Sequence, residues 1–278
     1  MAGARYIILG ENHDNADHHR LQADMLRRLV KAGRRPAVGF EMLDLDDEPT
    51  IAQHLAMAPR DAKGLGDALN WGKRGWPDWR YYQPIAQIAL NAGLPIFAAN
   101  LRRSTTRILR RQGIEGLPSE LVHELGLDRP LPPDLRKRMA NDIRQAHCGY
   151  ALKDYLENMI AIQRARDTRM AERMIETGRG DGSVLVAGAG HGRTDYGVPA
   201  HLRAMGGDRS IFSLAFMEVQ DGQSSPKEFA AGYEGGHLPF DYIWFTPRRN
   251  SQNPCDEFKN QLERLRETDQ KSRKEDRP

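Results

Sequence analysis

The chain has 278 residues, 39% hydrophobic and 28% charged, enough for one large or two small domains with a buried core. Its net charge of +3 is too small to argue for nucleic acid as a partner, and no stretch is apolar enough for long enough to span a membrane. Two cysteines, Cys148 and Cys255, without a Cys-x-x-Cys, exclude a disulfide framework and leave a single bridge open.

The first apolar run, Arg5 to Leu9, reads as a strand, followed by Asp14 or Asn15 as a helix cap. Leu21, Met25, Leu26, Leu29 and Val30 recur at helical spacing, and Gly33 ends the helix. A second strand, Pro36 to Phe40, follows at once and ends at Glu41. This β-α-β unit predicts a parallel pairing. Asp46 to Met57 reads as helix. The Trp- and Tyr-rich segment Gly72 to Tyr82 feeds another through Gln83 to Asn91, stopped by Gly93. Strand three is Leu94 to Ala99. After it come Arg102, Arg103, Arg107, Arg110 and Arg111, which suit either a solvated helix face or the neighbourhood of an anionic ligand.

Pro118 to Pro133 reads as irregular, with one short helix at most. Asp134 to His147 and Ala151 to Glu176 read as two helices, the second with a methionine-rich face typical of core. Strand four is Ser183 to Ala187, and strands near Ser210 to Phe216 and Tyr242 to Thr246 complete the sheet. The expected fold is α/β, a mostly parallel central sheet flanked by helices with a helical insertion between strands three and four. Residues 1–255 form one domain. Residues 256–278, with seven acidic and seven basic residues, form a charged tail, helical in part or disordered.

Two motifs of the form Gly-x-x-His end apolar strands: Gly10-Glu11-Asn12-His13 and Gly188-Ala189-Gly190-His191. In an open parallel sheet, residues just past the carboxyl ends of strands face the ligand crevice. His13, Glu41 and His191 are therefore expected to meet there. Glu11, two residues from His13, can point to the same side. Histidine with glutamate suits a divalent metal or general acid–base work. His18 and His19, in the first helical turn, are expected to lean neutral, because a helix N-terminus disfavours positive charge. His147-Cys148-Gly149-Tyr150 offers three residue types that can ligate haem iron, and is equally an ordinary corner between helices. Tyr81 and Tyr82 suit an aromatic cofactor pocket or core.

Leu9 to Gln22 resembles the opening signature of the ChaN-like haem-binding uptake family. Trp76-Pro77-Asp78-Trp79-Arg80-Tyr81-Tyr82-Gln83-Pro84 and Leu94 to Arg103 resemble it too. So do His147-Cys148-Gly149, Gln163 through Asp167 with Met170-Ala171, Gly188 to His191, Phe240 to Pro247 and Pro254-Cys255. The resemblance covers nearly everything but the charged tail. It implies membership of the broader Tiki/TraB and erythromycin-esterase-like group, an α/β core with two Gly-x-x-His motifs and an intervening Glu, which includes metal-dependent proteases and esterases. For the ChaN branch it implies iron acquisition by lipoproteins that bind haem as a homodimer with two haems stacked face to face, together with a haem-uptake receptor system.

By that resemblance His13, Glu41 and His191, with Glu11 beside them, form the shared polar site. The haem ligand is a tyrosine, with Tyr150 and Tyr82 as candidates and His147 beside the first. Arg102 is a partner for propionates. The leading expectation is a haem-binding protein of iron uptake or handling. The alternative is a metal-dependent hydrolase in which Glu11, His13, Glu41 and His191 hold a divalent ion or act as acid and base. The sequence lacks the lipoprotein leader and the segment that usually precedes strand one. Location is left open: periplasm or outer membrane by resemblance, cytoplasm if the start is genuine.

Overall fold

The computed structural model describes residues 1, 3–149, 155–206, 210–220, 222–223, 225–231, 233, 236–251, 255–256 and 259. Six strands, β1 (Tyr6–Glu11), β2 (Ala37–Asp44), β3 (Ile96–Asn100), β4 (Ser183–Gly188), β5 (Ile211–Glu218) and β6 (Tyr242–Thr246), form one sheet in the order β3-β2-β4-β1-β5-β6. Every pair is parallel, so the expected mostly parallel sheet is a wholly parallel one.

The strands read as continuous apolar runs because both faces are covered. Ile7 and Leu9 point to one side, where they share a core with Leu26 and Leu29 of α1 (Ala16–Lys31) and Ile85 and Ala89 of α4 (Trp79–Asn91). Tyr6 and Ile8 point to the other, against Met170 and Met174 of α8 (Leu156–Thr177) and Leu202 of α9 (Val198–Gly206). The methionine face of α8 is thus core. Asn15 is the cap of α1, its side chain accepting from the N–H groups of Asp17 and His18.

Between β2 and β3 lie α2 (Glu48–Met57), α3 (Ala62–Ala68) and α4. The chain pattern does not announce α3, which is short and carries Gly64 and Gly66. Helix α4 starts at Trp79 rather than Gln83, because the Asp78 side chain accepts the N–H of Arg80 and opens the helix there. The expected helical insertion between β3 and β4 consists of α5 (Arg103–Gln112), α6 (Ser119–Glu124), α7 (Pro133–Ala146) and α8. A short helix, α10 (Pro226–Ala230), precedes β6.

Cys148, just past α7, is joined to Cys255 in a disulfide, which fills the one bridge the cysteine count left open. Apart from Asp256 and Lys259, the 256–278 segment lies outside the described residues. Among the described residues no helix is long and apolar enough to cross a membrane.

Candidate functional site

Strand order builds the site. β4 lies between β1 and β2, with Glu11 paired to Gly188 and Phe40 to Val186. The three strand ends that carry His13, Glu41 and His191 are therefore adjacent at the carboxyl edge. Strand β2 does not stop at Glu41 as its apolar run suggests. Its pairing with β3 slips between Phe40 and Asp44, and this irregularity places Glu41 inside the strand but facing the site. Two glycines permit the approach. A Cβ on Gly10 would stand 2.9 Å from the Ala189 Cα, and one on Gly188 would stand 3.1 Å from His13 Nε2.

Glu41 is the hub. One carboxylate oxygen, Oε2, accepts the Gly188 N–H at 2.7 Å and lies 4.0 Å from His13 Nε2. The other, Oε1, lies 3.2 Å from His191 Nε2 and 3.9 Å from an Arg166 guanidinium nitrogen. His191 Nδ1 is in turn 2.6 Å from Asp167 Oδ1, on α8. His13 Nδ1 is 2.7 Å from Glu11 Oε1. Glu11, Glu41, Asp167 and His191 are buried, whereas the His13 side chain is 34% exposed and is the member that meets solvent. Trp76 packs edge-on against the His13 ring, 4.9 Å between centroids.

Charge within this cluster is self-compensating. Burial disfavours the His191 cation, but Glu41 and Asp167 outweigh it and raise the pKa to about 10. Burial likewise opposes charge on His13, and Glu11 and Glu41 overcome it, raising its pKa to about 9. Burial would push the Glu41 carboxyl up, yet His191 and His13 hold it well below the usual range. Asp167 goes the other way: its burial outweighs the nearby cation and raises it.

The loop carrying His13 is fixed by the two histidines after it. His18 Nδ1 accepts the Asn12 N–H at 2.9 Å, which requires the neutral tautomer with Nε2–H toward Thr246 Oγ1 at 2.8 Å. Burial lowers the His18 pKa to about 4, in line with the expected neutral form. His19 Nε2 donates to the His13 carbonyl at 2.9 Å. Both position backbone and do not reach into the site.

The structure brings Glu11, His13, Glu41 and His191 together through hydrogen bonds and ion pairs. Both ring nitrogens of His191 face carboxylates, Nε2 toward Glu41 and Nδ1 toward Asp167. Among the described residues no group of three or more His, Cys, Asp or Glu is placed to hold a metal ion. Asp167 lies in the block of the family resemblance from Gln163 through Asp167 but is not among the candidate site residues read from the sequence.

Two cavities flank the cluster. One, of about 330 Å³, borders Asn12 and Gly190 and is walled by Tyr196, Phe216, Met217, Tyr233 and Phe240, with Asp142, Arg193 and Glu218 among its charged members. Gln145 and Ala146, at the end of α7, also line it. The other, of about 690 Å³, is lined by Trp76, Asn100 and Arg166 together with several Asp and Arg side chains.

The remaining candidates do not gather at the cluster. Tyr82 is fully buried in the core on the α1–α4 side, its ring among His19, Trp71 and Trp79, and its hydroxyl has no hydrogen-bond partner. Burial pushes that phenol far up, so forming a phenolate there is disfavoured and iron cannot reach it. Arg102 is exposed and bound to Asp46 at 3.1 Å. His147 ends α7, with Nδ1 2.7 Å from the Ile143 carbonyl. Tyr150 lies outside the described residues.

A family model described as haem-binding uptake, Tiki superfamily, ChaN matches residues 1–202. The structure of ChaN of Campylobacter jejuni, described as showing cofacial haem binding, is similar with a TM-score of 0.62 and 22% identity. That match covers 81% of this chain and 84% of that one. More distant are the type III effector HopBA1 (TM-score 0.43, 16% identity, 80% of each chain) and an erythromycin esterase EreC variant (0.41, 14%, 78% of this chain and 70% of that one). No curated protein matches.

Proposed function

Since the chain belongs to the ChaN haem-binding uptake family of the Tiki superfamily, we propose that it binds ferric haem and serves iron or haem uptake. Family membership carries the reading, and the aromatic cavity supports it. A porphyrin face needs apolar, ring-rich walls, and Phe216, Met217, Tyr233 and Phe240 supply them at the sheet edge. Tyr150, four residues beyond the cavity-lining Ala146, is the proposed phenolate ligand. Bound there, haem would supply iron in a carried, redox-active form. Two copies stacking their haems, as described for the Campylobacter jejuni protein, is the proposed assembly, and a haem-uptake receptor system is the proposed partner. The Cys148–Cys255 bridge supports an oxidising, extracytoplasmic location.

Hemin titration of wild type and Tyr150→Phe tests this. Saturable binding with an oxygen-ligated ferric spectrum is expected, with that spectrum altered in the variant. Absorbance no greater than that of hemin in buffer alone would end the reading.

A second reading, hydrolysis, is favoured by one observation: a solvent-facing His13 backed by Glu11 and Glu41. With a pKa of about 9, His13 carries a proton at neutral pH and would serve as a general acid. Turnover of p-nitrophenyl esters that disappears in His13→Gln, with hemin binding retained, would establish it.

A further inference from the structure

The polar cleft of about 690 Å³ beside Trp76 and Arg166 is not accounted for by haem. Ala68, Leu69 and Trp76 are its apolar residues, and six cationic side chains, Lys73, Arg74, Arg103, Arg107, Arg110 and Arg166, line it. Its charge is uneven. Three acids line it, Asp44, Asp46 and Asp47, and all three are taken: Arg74 binds Asp44 and Asp47, Arg103 binds the same two, and Arg102 binds Asp46. Lys73, Arg107 and Arg110 line the same cleft, are exposed, and have no carboxylate partner among the described residues.

Arg103, Thr106, Arg107 and Arg110 fall at i, i+3, i+4 and i+7 of α5, so one helix face presents them together. Lys73 faces them from the turn before α4. The far end of the cleft reaches the acid–base cluster. Asn100 donates to the Glu41 carbonyl at 2.9 Å, Arg166 stands 3.9 Å from Glu41 Oε1, and Trp76 touches the His13 ring. The Arg166 Nε is buried with no hydrogen-bond partner, a donor left over inside the cleft wall.

We propose that this cleft binds an anionic small molecule distinct from haem, its phosphate or carboxylate group held by Lys73, Arg107 and Arg110 and its remainder extending past Arg166 and Trp76 to His13. The volume suits a molecule well beyond a bare ion. Spare guanidinium groups on a fixed helix face suit an oxyanion, since they give charge-assisted, forked hydrogen bonds. The inference concerns binding alone and holds whether or not the cluster hydrolyses anything.

The test is calorimetric titration of the full chain at low ionic strength with inorganic pyrophosphate and, separately, citrate; preference between them assigns the phosphate or carboxylate source. Saturable 1:1 binding of one probe is expected, weakened at least about tenfold in Lys73→Ala/Arg107→Ala/Arg110→Ala, in keeping with the loss of charge-assisted contacts. These side chains are exposed, so the variant should keep its wild-type melting temperature. Arg107→Lys, which keeps the charge and loses the fork, should bind between the two. Hemin binding should be unchanged in the triple variant. No saturable binding of either probe, equal binding by wild type and triple variant, or loss of hemin binding in that variant would each overturn the proposal, the last because the basic face would then belong to haem propionates.

Discussion

Asp167 and His191 meet in the dry interior, Nδ1 to Oδ1 2.6 Å apart, although they come from the middle of a helix and the end of a strand turn. The carboxylate fixes the ring so that Nε2 faces Glu41, and Gln163 Nε2 donates to the second Asp167 oxygen at 3.3 Å. Removing one partner of a buried pair leaves an uncompensated charge and costs about 3–5 kcal/mol. Asp167→Ala is expected to lose stability of that size in urea denaturation. Asp167→Asn, which keeps shape and a hydrogen bond, should lose less and should lower the His191 pKa measured by NMR. An unmoved titration would mean that Asp167 does not hold the His191 proton.

The cluster also makes stability depend on pH. In the folded state the His13 and His191 pKa values are raised to about 9 and about 10, above their ordinary 6.5. Their contribution is therefore fully present below about pH 6.5 and is lost as pH rises through 9 to 10. Glu41 is depressed, so its contribution is present above the ordinary carboxylate range and disappears in acid. His18, lowered to about 4, adds to the acid loss because the folded state resists its protonation. Chemical denaturation should place maximal stability near pH 6 with a steady fall toward pH 10. In His191→Gln the alkaline slope should flatten, and an identical slope would contradict the assignment.

Parts of this site were legible because they are local. A strand, a glycine and a histidine three residues on are all in one window, and so is a carboxylate after an apolar run. That β4 inserts between β1 and β2 is a long-range pairing, yet the strand-end rule placed His13, Glu41 and His191 together without it. Asp167 lies in a block that resembles the family, but nothing in that block marks it as a site residue: a helix-interior acid becomes a partner only through how α8 packs on the sheet. The charge surplus of the α5 face is hidden for a similar reason. The acids that neutralise Arg102 and Arg103 lie about 56–59 positions away in sequence. Tyr82 was ambiguous because a Trp- and Tyr-rich segment reads alike whether it lines a pocket or fills core.

Tyr82 provides a separate check. Its hydroxyl is buried and unpartnered, so it has lost water without gaining a hydrogen bond. Tyr82→Phe should leave stability within about 1 kcal/mol of wild type, on the stabilising side. The hemin spectrum of this variant should match wild type. A changed spectrum would bring Tyr82 back as a ligand and require the core to open around it.

The disulfide supplies the last prediction. Cys148 and Cys255 are separated by 107 residues, and closing a loop of that length restricts the unfolded chain by about 4–5 kcal/mol in the entropic account, with measured bridges in the range of about 2–5. Cys148→Ser/Cys255→Ser should lose stability in that range, and a reductant should have the same effect on wild type and none on the variant. Deleting residues 256–278 while keeping Cys255 should change the melting temperature by no more than about 2 °C, because that segment holds only Phe258, Leu262 and Leu265 as apolar residues. A deletion as costly as the double serine variant would show that the charged segment, and not the bridge, secures this end of the chain.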